Sequence, residues 1–384
     1  MGFMGYRRPD GSFGVRNHVV VLPSVSCANG VVQQIGRRVP GVKAITHPEG
    51  CGRGFGDVVN AWRTLVGVAL NPNVAACLIV GLGCEVIKAS GLYNDAVKSG
   101  KRIEFFDIQD VGGSIKAAEK GAAIAREMLA EAERFPREEA GFEHLTVAVE
   151  CGGSDSFSGL TANPTVGIVA DWVVAQGGCV LLSETTELIG TEELVSTRIQ
   201  DPQVLKKFDD LMRRQRDKVN CGLGEAASSV IAPGNQEGGL TSIIEKSLGC
   251  VRKGGSTAIR DVIEYAERPQ KKGLVIMDTP GSDIFSMTGK IAGGAQIVLF
   301  TTGRGSPAGS PVAPVIKIAS NSDLFARMPD DMDFDAGRIQ TGMTVDECGA
   351  DLIDLMRRVA SGKPVKPELT QTELFSIHSE GPAY

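Results

Sequence analysis

Apolar and polar positions alternate along the chain in blocks that exchange a strand period for a helix period. Val19 to Leu22 is a short β-branched run, and a Pro-Ser-Val-Ser-Cys-Ala-Asn-Gly turn separates it from an amphipathic stretch, Val31 to Val39. The unit recurs: strands are expected at Val42–Thr46, Ala76–Val80 and Ile103–Ile108, and helices at Val58–Leu70, Val86–Lys98 and Ile115–Arg134. Strands separated by helices predict right-handed crossovers and a mainly parallel sheet. After the polar segment Phe135 to Gly141, which carries both Pro and Gly, a second series opens. It has strands at Leu145–Val149, Val180–Ser183, Leu274–Met277, Ile297–Thr301 and Val315–Ala319, and helices at Pro164–Ala175, Ile284–Ala292 and Val345–Val359. Charged helices are expected between Thr191 and Val219, a Gly-rich and weakly patterned insertion from Gly222 to Gly255, and an extended arm from Lys363 onward. The expected architecture is α/β with two domains, 1–138 and 139–384. Each carries a mainly parallel sheet flanked by helices, and the second is Rossmann-like.

Composition narrows the function. Of 384 residues 48 are Gly, which implies many tight backbone turns. The net charge of −6, with no basic run, argues against a nucleic-acid-binding face. The long uncharged stretch from Thr64 to Cys84 is interrupted by Asn71-Pro72-Asn73 and reads as a helix end and a strand, so no membrane span is expected. Nine Cys do not form a disulfide framework and point to a reduced, cytoplasmic setting.

Ligands of open α/β sheets gather at the carboxyl ends of strands, so the turns after strands are the places to search. His47-Pro48-Glu49-Gly50-Cys51-Gly52, Gly81-Leu82-Gly83-Cys84-Glu85 and Glu150-Cys151-Gly152-Gly153-Ser154-Asp155 each set Cys beside Gly. Thiolates from three loops suit a soft or borderline metal with one position open to substrate. Core packing is the competing reading of any Cys, and Cys77, Cys179 and Cys348 fit it. Of four His, His47 alone follows a strand, as ligand or base or as a hydrogen-bonded loop residue. Asp278-Thr279-Pro280-Gly281-Ser282 and Thr301-Thr302-Gly303-Arg304-Gly305-Ser306 suit a carboxylate or phosphate, with Arg304 offering a paired donor fork. Arg16 and Asn17 before the first strand, and Lys317 and Asn321 around another, complete the binding candidates, although a Lys bordering an apolar strand more often snorkels to the surface. No P-loop and no dinucleotide fingerprint is present.

At these same segments the chain resembles the altronate and galactarate dehydratases, whose catalytic region is similar to the large chain of sulfolactate sulfo-lyase. The matching pieces are Gly5-Tyr6-Arg7-Arg8, Arg16-Asn17, His47 to Gly52, Gly81 to Glu85, Cys151 to Ser158, Asn163-Pro164, Met277 to Pro280, Thr301 to Ser306 and Lys317 to Asn321. The resemblance implies removal of water from a 2,3-dihydroxy sugar acid to give a 2-keto-3-deoxy acid. It also implies iron, either Fe2+ with His47 or Glu85, or a [4Fe-4S] cluster on Cys51, Cys84 and Cys151. His47, Glu85 and Asp155 are the nominees for the base. Arg16, Asn17, Ser154, Asp278, Thr279, Arg304, Lys317 and Asn321 are the substrate-binding candidates. The intact Gly-Cys-Gly and Gly-Cys-Glu elements favour dehydration over sulfite release, and the intact strand-end Cys, His and Arg residues argue against a non-catalytic sugar-acid-binding homologue. Fuller family members carry a small N-terminal module, so a separately encoded small chain is expected, and a homo-oligomer with it.

Overall fold

The computed structural model describes residues 2–224 and 232–384; residues 225–231, part of the expected Gly-rich insertion, lie outside them. Among the described residues the strands are β1 (Phe3–Arg7), β2 (Phe13–Gly14), β3 (His18–Pro23), β4 (Lys43–Ala44), β5 (Val74–Gly81), β6 (Arg102–Asp107), β7 (Glu138–Ala140), β8 (Thr146–Cys151), β9 (Cys179–Leu182), β10 (Ile259–Ile263), β11 (Gly273–Met277), β12 (Ile297–Thr302), β13 (Val315–Ala319) and β14 (Phe334–Asp335). They form a parallel sheet ordered β4-β3-β5-β6, a parallel sheet ordered β10-β11-β9-β8-β12-β13-β14, and a small antiparallel sheet ordered β2-β1-β7. The fold is α/β, as the alternation predicts.

Continuous apolar runs put β5, β8, β9, β12 and β13 in sheet interiors, where both faces are covered by helices. In the first sheet the helices Asn29–Arg38 and Ser114–Ala132 pack together through small residues. A Cβ at Gly121 would stand 2.3 Å from the Ile35 side chain, so the close approach requires Gly. The helix Phe55–Leu70 packs against Asp283–Ala292, and the second of these lies on the second sheet. Val20, Leu22, Leu65, Leu92, Leu181, Val275, Met287 and Phe300 therefore share one apolar core, and the two parallel sheets are joined through it.

Three features depart from expectation. Residues 138–140, within the polar stretch read as a linker, form β7 and pair with β1, so the N-terminus and this stretch make one small sheet. The arm after Lys363 contains the short helix Lys366–Thr370 and then returns to the first sheet, where Tyr384 N donates to Gly52 O at 2.9 Å and Asp57 accepts from Glu380 N and Gly381 N at 2.7 and 2.9 Å. The segment from Gly222 to Gly255 contains the helices Pro233–Glu237 and Ile243–Arg252. No helix among the described residues is long and apolar enough to cross a membrane.

Candidate functional site

Each parallel sheet reverses its strand order once, in the first between β3 and β5 and in the second between β8 and β12. Crevices at such points are where open sheets bind ligands. A cleft of about 1090 Å³ is lined from the first sheet's side by Gly54 to Asp57, Val59, Asn60 and Arg63, and from the second by Thr186, Asp278, Thr279 and Pro280. Arg214, Lys218 and Cys221 of the long helix Pro202–Leu223 and His378 and Glu380 of the C-terminal arm also line it.

Asp278, an acid of this cleft, is held by three neighbouring side chains. Its Oδ1 accepts from Thr185 Oγ1 at 2.9 Å and Gln215 Nε2 at 2.8 Å, while Arg214 reaches Oδ2 at 3.3 Å. Burial pushes its carboxyl above the usual range despite these donors. Thr279 is spent on the fold: its Oγ1 accepts from Glu184 N at 2.9 Å and bonds Ser286 Oγ at 3.0 Å.

The thiol loops of the first sheet stand side by side, with Ile87 N donating to Gly50 O at 3.2 Å. Cys51 and Cys84 are exposed. His47 is buried with both ring nitrogens engaged, Nε2 donating to Pro23 O at 2.8 Å and Nδ1 accepting from Glu49 N at 3.2 Å. Burial lowers its pKa, so the ring is neutral in this arrangement. Glu85 accepts from Ser24 Oγ and Gly83 N, both at 2.7 Å. Burial works to raise its carboxyl, but the donors around it, backbone amides and Ser24, leave it below the usual range.

Cys151, at the end of β8, belongs to a buried set on the second sheet. Its Sγ is 3.3 Å from Glu187 Oε2 and 3.4 Å from Cys250 Sγ, and Cys250 Sγ is 2.7 Å from the same Oε2. Among the described residues, Cys151, Glu187 and Cys250 form the one group of three metal-competent side chains whose donor atoms fall within 4.8 Å of one another. The three thiols expected to share one site are thus not assembled as the ligands of a single ion. Around Cys151 the layer is heavily charged: Lys253 pairs with Glu184 and Lys290 with Glu150, each at 2.5 Å and fully buried, and Lys246 pairs with Glu187 at 2.6 Å.

The remaining expected residues fall into two groups. Asp155, Ser320 and Asn321 converge: Asp155 Oδ1 accepts from Ser158 N and Oγ and from Ser320 Oγ at 2.7 to 2.8 Å, and Asn321 Nδ2 donates to Oδ2 at 3.0 Å. Ser154 lines a 250 Å³ pocket beside them. Arg304 is half-exposed and pairs with Glu237 at 2.7 Å. Lys317 is not a surface residue. It is fully buried, donates to Ala308 O at 3.0 Å and lies 3.2 Å from the centroid of the Phe300 ring; burial brings it down to about 7. Arg16 and Asn17 do not reach any of these groups. Arg16 clamps Glu368 and the carbonyls of Val15, Val359 and Lys363, and Asn17 bridges Arg8 and Ala132 O.

Sequence reasoning missed Glu184, Glu187, Cys250, Lys253 and Lys290. Lys290 carries a faint signal, as a cation among Met287, Ile291 and Ala292 on the buried face of an apolar helix.

Residues 142–383 match the family described as D-galactarate/altronate dehydratase, C-terminal, and residues 5–133 the family described as D-galactarate dehydratase/altronate hydrolase, second domain. The chain is 34% identical to the altronate dehydratase of Bacillus subtilis (strain 168), over 99% of its own length and 78% of the relative's. It is also 34% identical to the galactarate dehydratase (L-threo-forming) of Escherichia coli (strain K12), with 98% and 75% covered. Identity is again 34% to (2R)-sulfolactate sulfo-lyase subunit beta of Chromohalobacter salexigens, with 95% and 94% covered. These relatives are all lyases, and the chain, matched from end to end by two consecutive regions of one family, belongs to the galactarate and altronate dehydratases.

Proposed function

We propose that this lyase dehydrates a sugar acid bearing 2,3-hydroxyls, altronate or galactarate in type, to a 2-keto-3-deoxy acid in the cleft between the two parallel sheets. The observation that carries the reading is that cleft: it joins the strand-end loops of both sheets, and it combines an acid of raised pKa, Asp278, with the cations Arg63, Arg214 and Lys218. The difficulty of the reaction is to remove a weakly acidic C2 proton while a poor leaving group departs from C3. Asp278 suits the first task, since a carboxyl pushed above its usual range is a better base at neutral pH. Arg214 and Lys218 suit the substrate carboxylate, because Glu264 and Glu380, which pair with them, are exposed acids that an incoming anion can replace, while Arg214 also contacts Asp278 at 3.3 Å.

Iron fits the donors at the rim. Cys51 and Cys84 are solvent-facing thiols on loops that touch, and Gly50, Gly52 and Gly83 beside them have φ of 115°, 66° and 122°, so a bulky group can approach the backbone closely. Bound there, iron supplies a Lewis acid for the departing hydroxyl. His47 and Glu85 do not fit as free ligands, because their ring nitrogens and carboxylate oxygens are already bonded.

A second reading, sulfite release from sulfolactate, is supported by the relative named (2R)-sulfolactate sulfo-lyase subunit beta, which is as similar to the chain, at 34% identity, as the dehydratases are. That relative's name, subunit beta, also supports a second chain in the working enzyme. The test is to assay keto acid and sulfite side by side on sugar acids and sulfolactate, with Asp278→Asn as control. Keto acid from sugar acids, lost in the variant, supports the first reading; sulfite alone supports the second.

A further inference from the structure

Cys27 carries no expectation from the sequence, yet it occupies the same kind of position as Cys51 and Cys84. β3 ends at Pro23, β4 at Ala44 and β5 at Gly81, and one of these three Cys follows each strand in its loop. The strands are neighbours in the order β4-β3-β5, with the reversal of strand order between β3 and β5. Contacts lock the loops to one another: Ser26 N donates to Glu49 O at 2.8 Å, Ile87 N to Gly50 O at 3.2 Å, and Ser24 Oγ to Glu85 Oε1 at 2.7 Å. A Cβ at Gly50 would stand 2.4 Å from Ser24 O and 2.5 Å from Val25 Cα, so this crossing of the Cys27 and Cys51 loops is possible only with Gly. Cys27, Cys51 and Cys84 are exposed, as is Cys221 on the helix Pro202–Leu223 across the cleft, whereas Cys77, Cys151, Cys179, Cys250 and Cys348 are buried; the three are set apart by their shared place in adjoining strand-end loops. Free thiols held at one sheet edge are reactive liabilities unless something ligates them.

We infer that Cys27, Cys51 and Cys84 are the three thiolate ligands of one iron-sulfur cluster at the mouth of the cleft, and that Cys151 is not a ligand. Spacing decides between a cluster and one ion. A tetrahedral ion with bonds of about 2.3 Å draws its sulfurs to about 3.8 Å of one another. These three do not form a group within 4.8 Å, whereas Cys151, Glu187 and Cys250 do. A cluster binds each thiolate through a different iron and so spans a wider triangle, and three ligands leave one iron open. The Cys151 set has the opposite character: it is buried, its sulfurs already bond Glu187, and Lys246 and Lys253 set positive charge beside it. Gly54, three residues after Cys51, lines the cleft, so the open iron would face the substrate side. The purpose assigned to the cluster rests on the dehydratase reading, but its ligands do not.

The test is the iron and acid-labile sulfide content, with the visible absorption spectrum, of full-length protein purified without oxygen. The parent should hold about four of each per chain. Cys27→Ser, Cys51→Ser and Cys84→Ser should each lose the sulfide and the absorption while keeping the far-ultraviolet circular dichroism of the parent; Cys151→Ser and Cys250→Ser should keep the cluster. A sulfide-free parent, or a Cys27→Ser protein with the parent's cluster content, overturns the assignment. Failure of the dehydratase reading looks different: the cluster is present and no sugar acid yields keto acid.

Discussion

Removing Lys253 tests whether the charged layer beneath the second sheet's strand ends is held by electrostatic pairing. Lys253 and Glu184 are both fully buried and meet at 2.5 Å, and the same Glu184 oxygen accepts from Cys151 N at 3.1 Å. Burial alone would raise Glu184, but Lys253 first and Lys290 second bring it down to about 2. Against an unfolded glutamate near 4.3, that depression corresponds to about 3 kcal/mol in favour of the fold at neutral pH. Because the folded value lies below the unfolded one, this contribution is complete above about pH 4.3 and fades as pH falls toward 2. Glu150 acts in the other sense: burial and the charge on Glu184 push it up, so it offsets part of the gain as pH rises above its unfolded value. Lys253→Met leaves Glu184 buried without its nearest cation, a change of about 3–5 kcal/mol for a broken buried pair. Urea unfolding followed by circular dichroism at pH 8 and pH 4.5 should show a large loss at the higher pH. The gap should be narrower at the lower pH, where the deprived Glu184 takes up a proton. Lys253→Met with Glu184→Gln should recover part of the loss, since no unpaired charge remains. A midpoint unchanged at pH 8, or a double variant no more stable than the single, refutes the argument.

Other expectations follow from the same geometry. Asp155→Ala should lower stability by about 2–4 kcal/mol, because four hydrogen bonds converge on this carboxylate; a variant of normal stability without turnover would instead make Asp155 a base. Arg304→Lys should keep kcat/KM within about twofold, since the side chain holds one half-exposed pair with Glu237, and a large drop would put the substrate against it. If Asp278 takes the proton, the acid limb of the kcat/KM profile should lie above the ordinary carboxylate range and vanish in Asp278→Asn; an unmoved limb excludes it. Adding a candidate small chain should raise turnover, and full activity of the purified single chain would remove the need for one.

The alternation of apolar runs made both parallel sheets legible, and β13 falls where Val315–Ala319 predicts it. Such strands are buried on both faces and read as continuous runs. β1, β2 and β7 were not legible, since they have five, two and three residues and β7 pairs with β1 across more than a hundred positions. β10, Ile-Arg-Asp-Val-Ile, is an edge strand whose charged residues broke the run. In the site, a strand end beside Gly pointed to Cys51, Cys84 and Cys151, but the neighbours of Cys151, Glu187 and Cys250, come from elements distant in sequence that no local pattern ties to it. Cys250 sits in a helix inside the Gly-rich segment, and Lys253 and Lys290 are cations in elements that pattern reasoning assigns to packing. Pairing partners distant in sequence made their burial possible, and no local pattern records that.

The central claim, that the cleft between the two sheets converts sugar acids to keto acids, is tested most directly by one measurement. Anaerobically purified parent protein and Asp278→Asn, each with a candidate small chain, would be incubated with a panel of aldonic and aldaric acids and scored for 2-keto-3-deoxy acid. The account predicts product from at least one acid with the parent and none with the variant. Release of sulfite from sulfolactate with no keto acid from any sugar acid, or full turnover by Asp278→Asn, would contradict it.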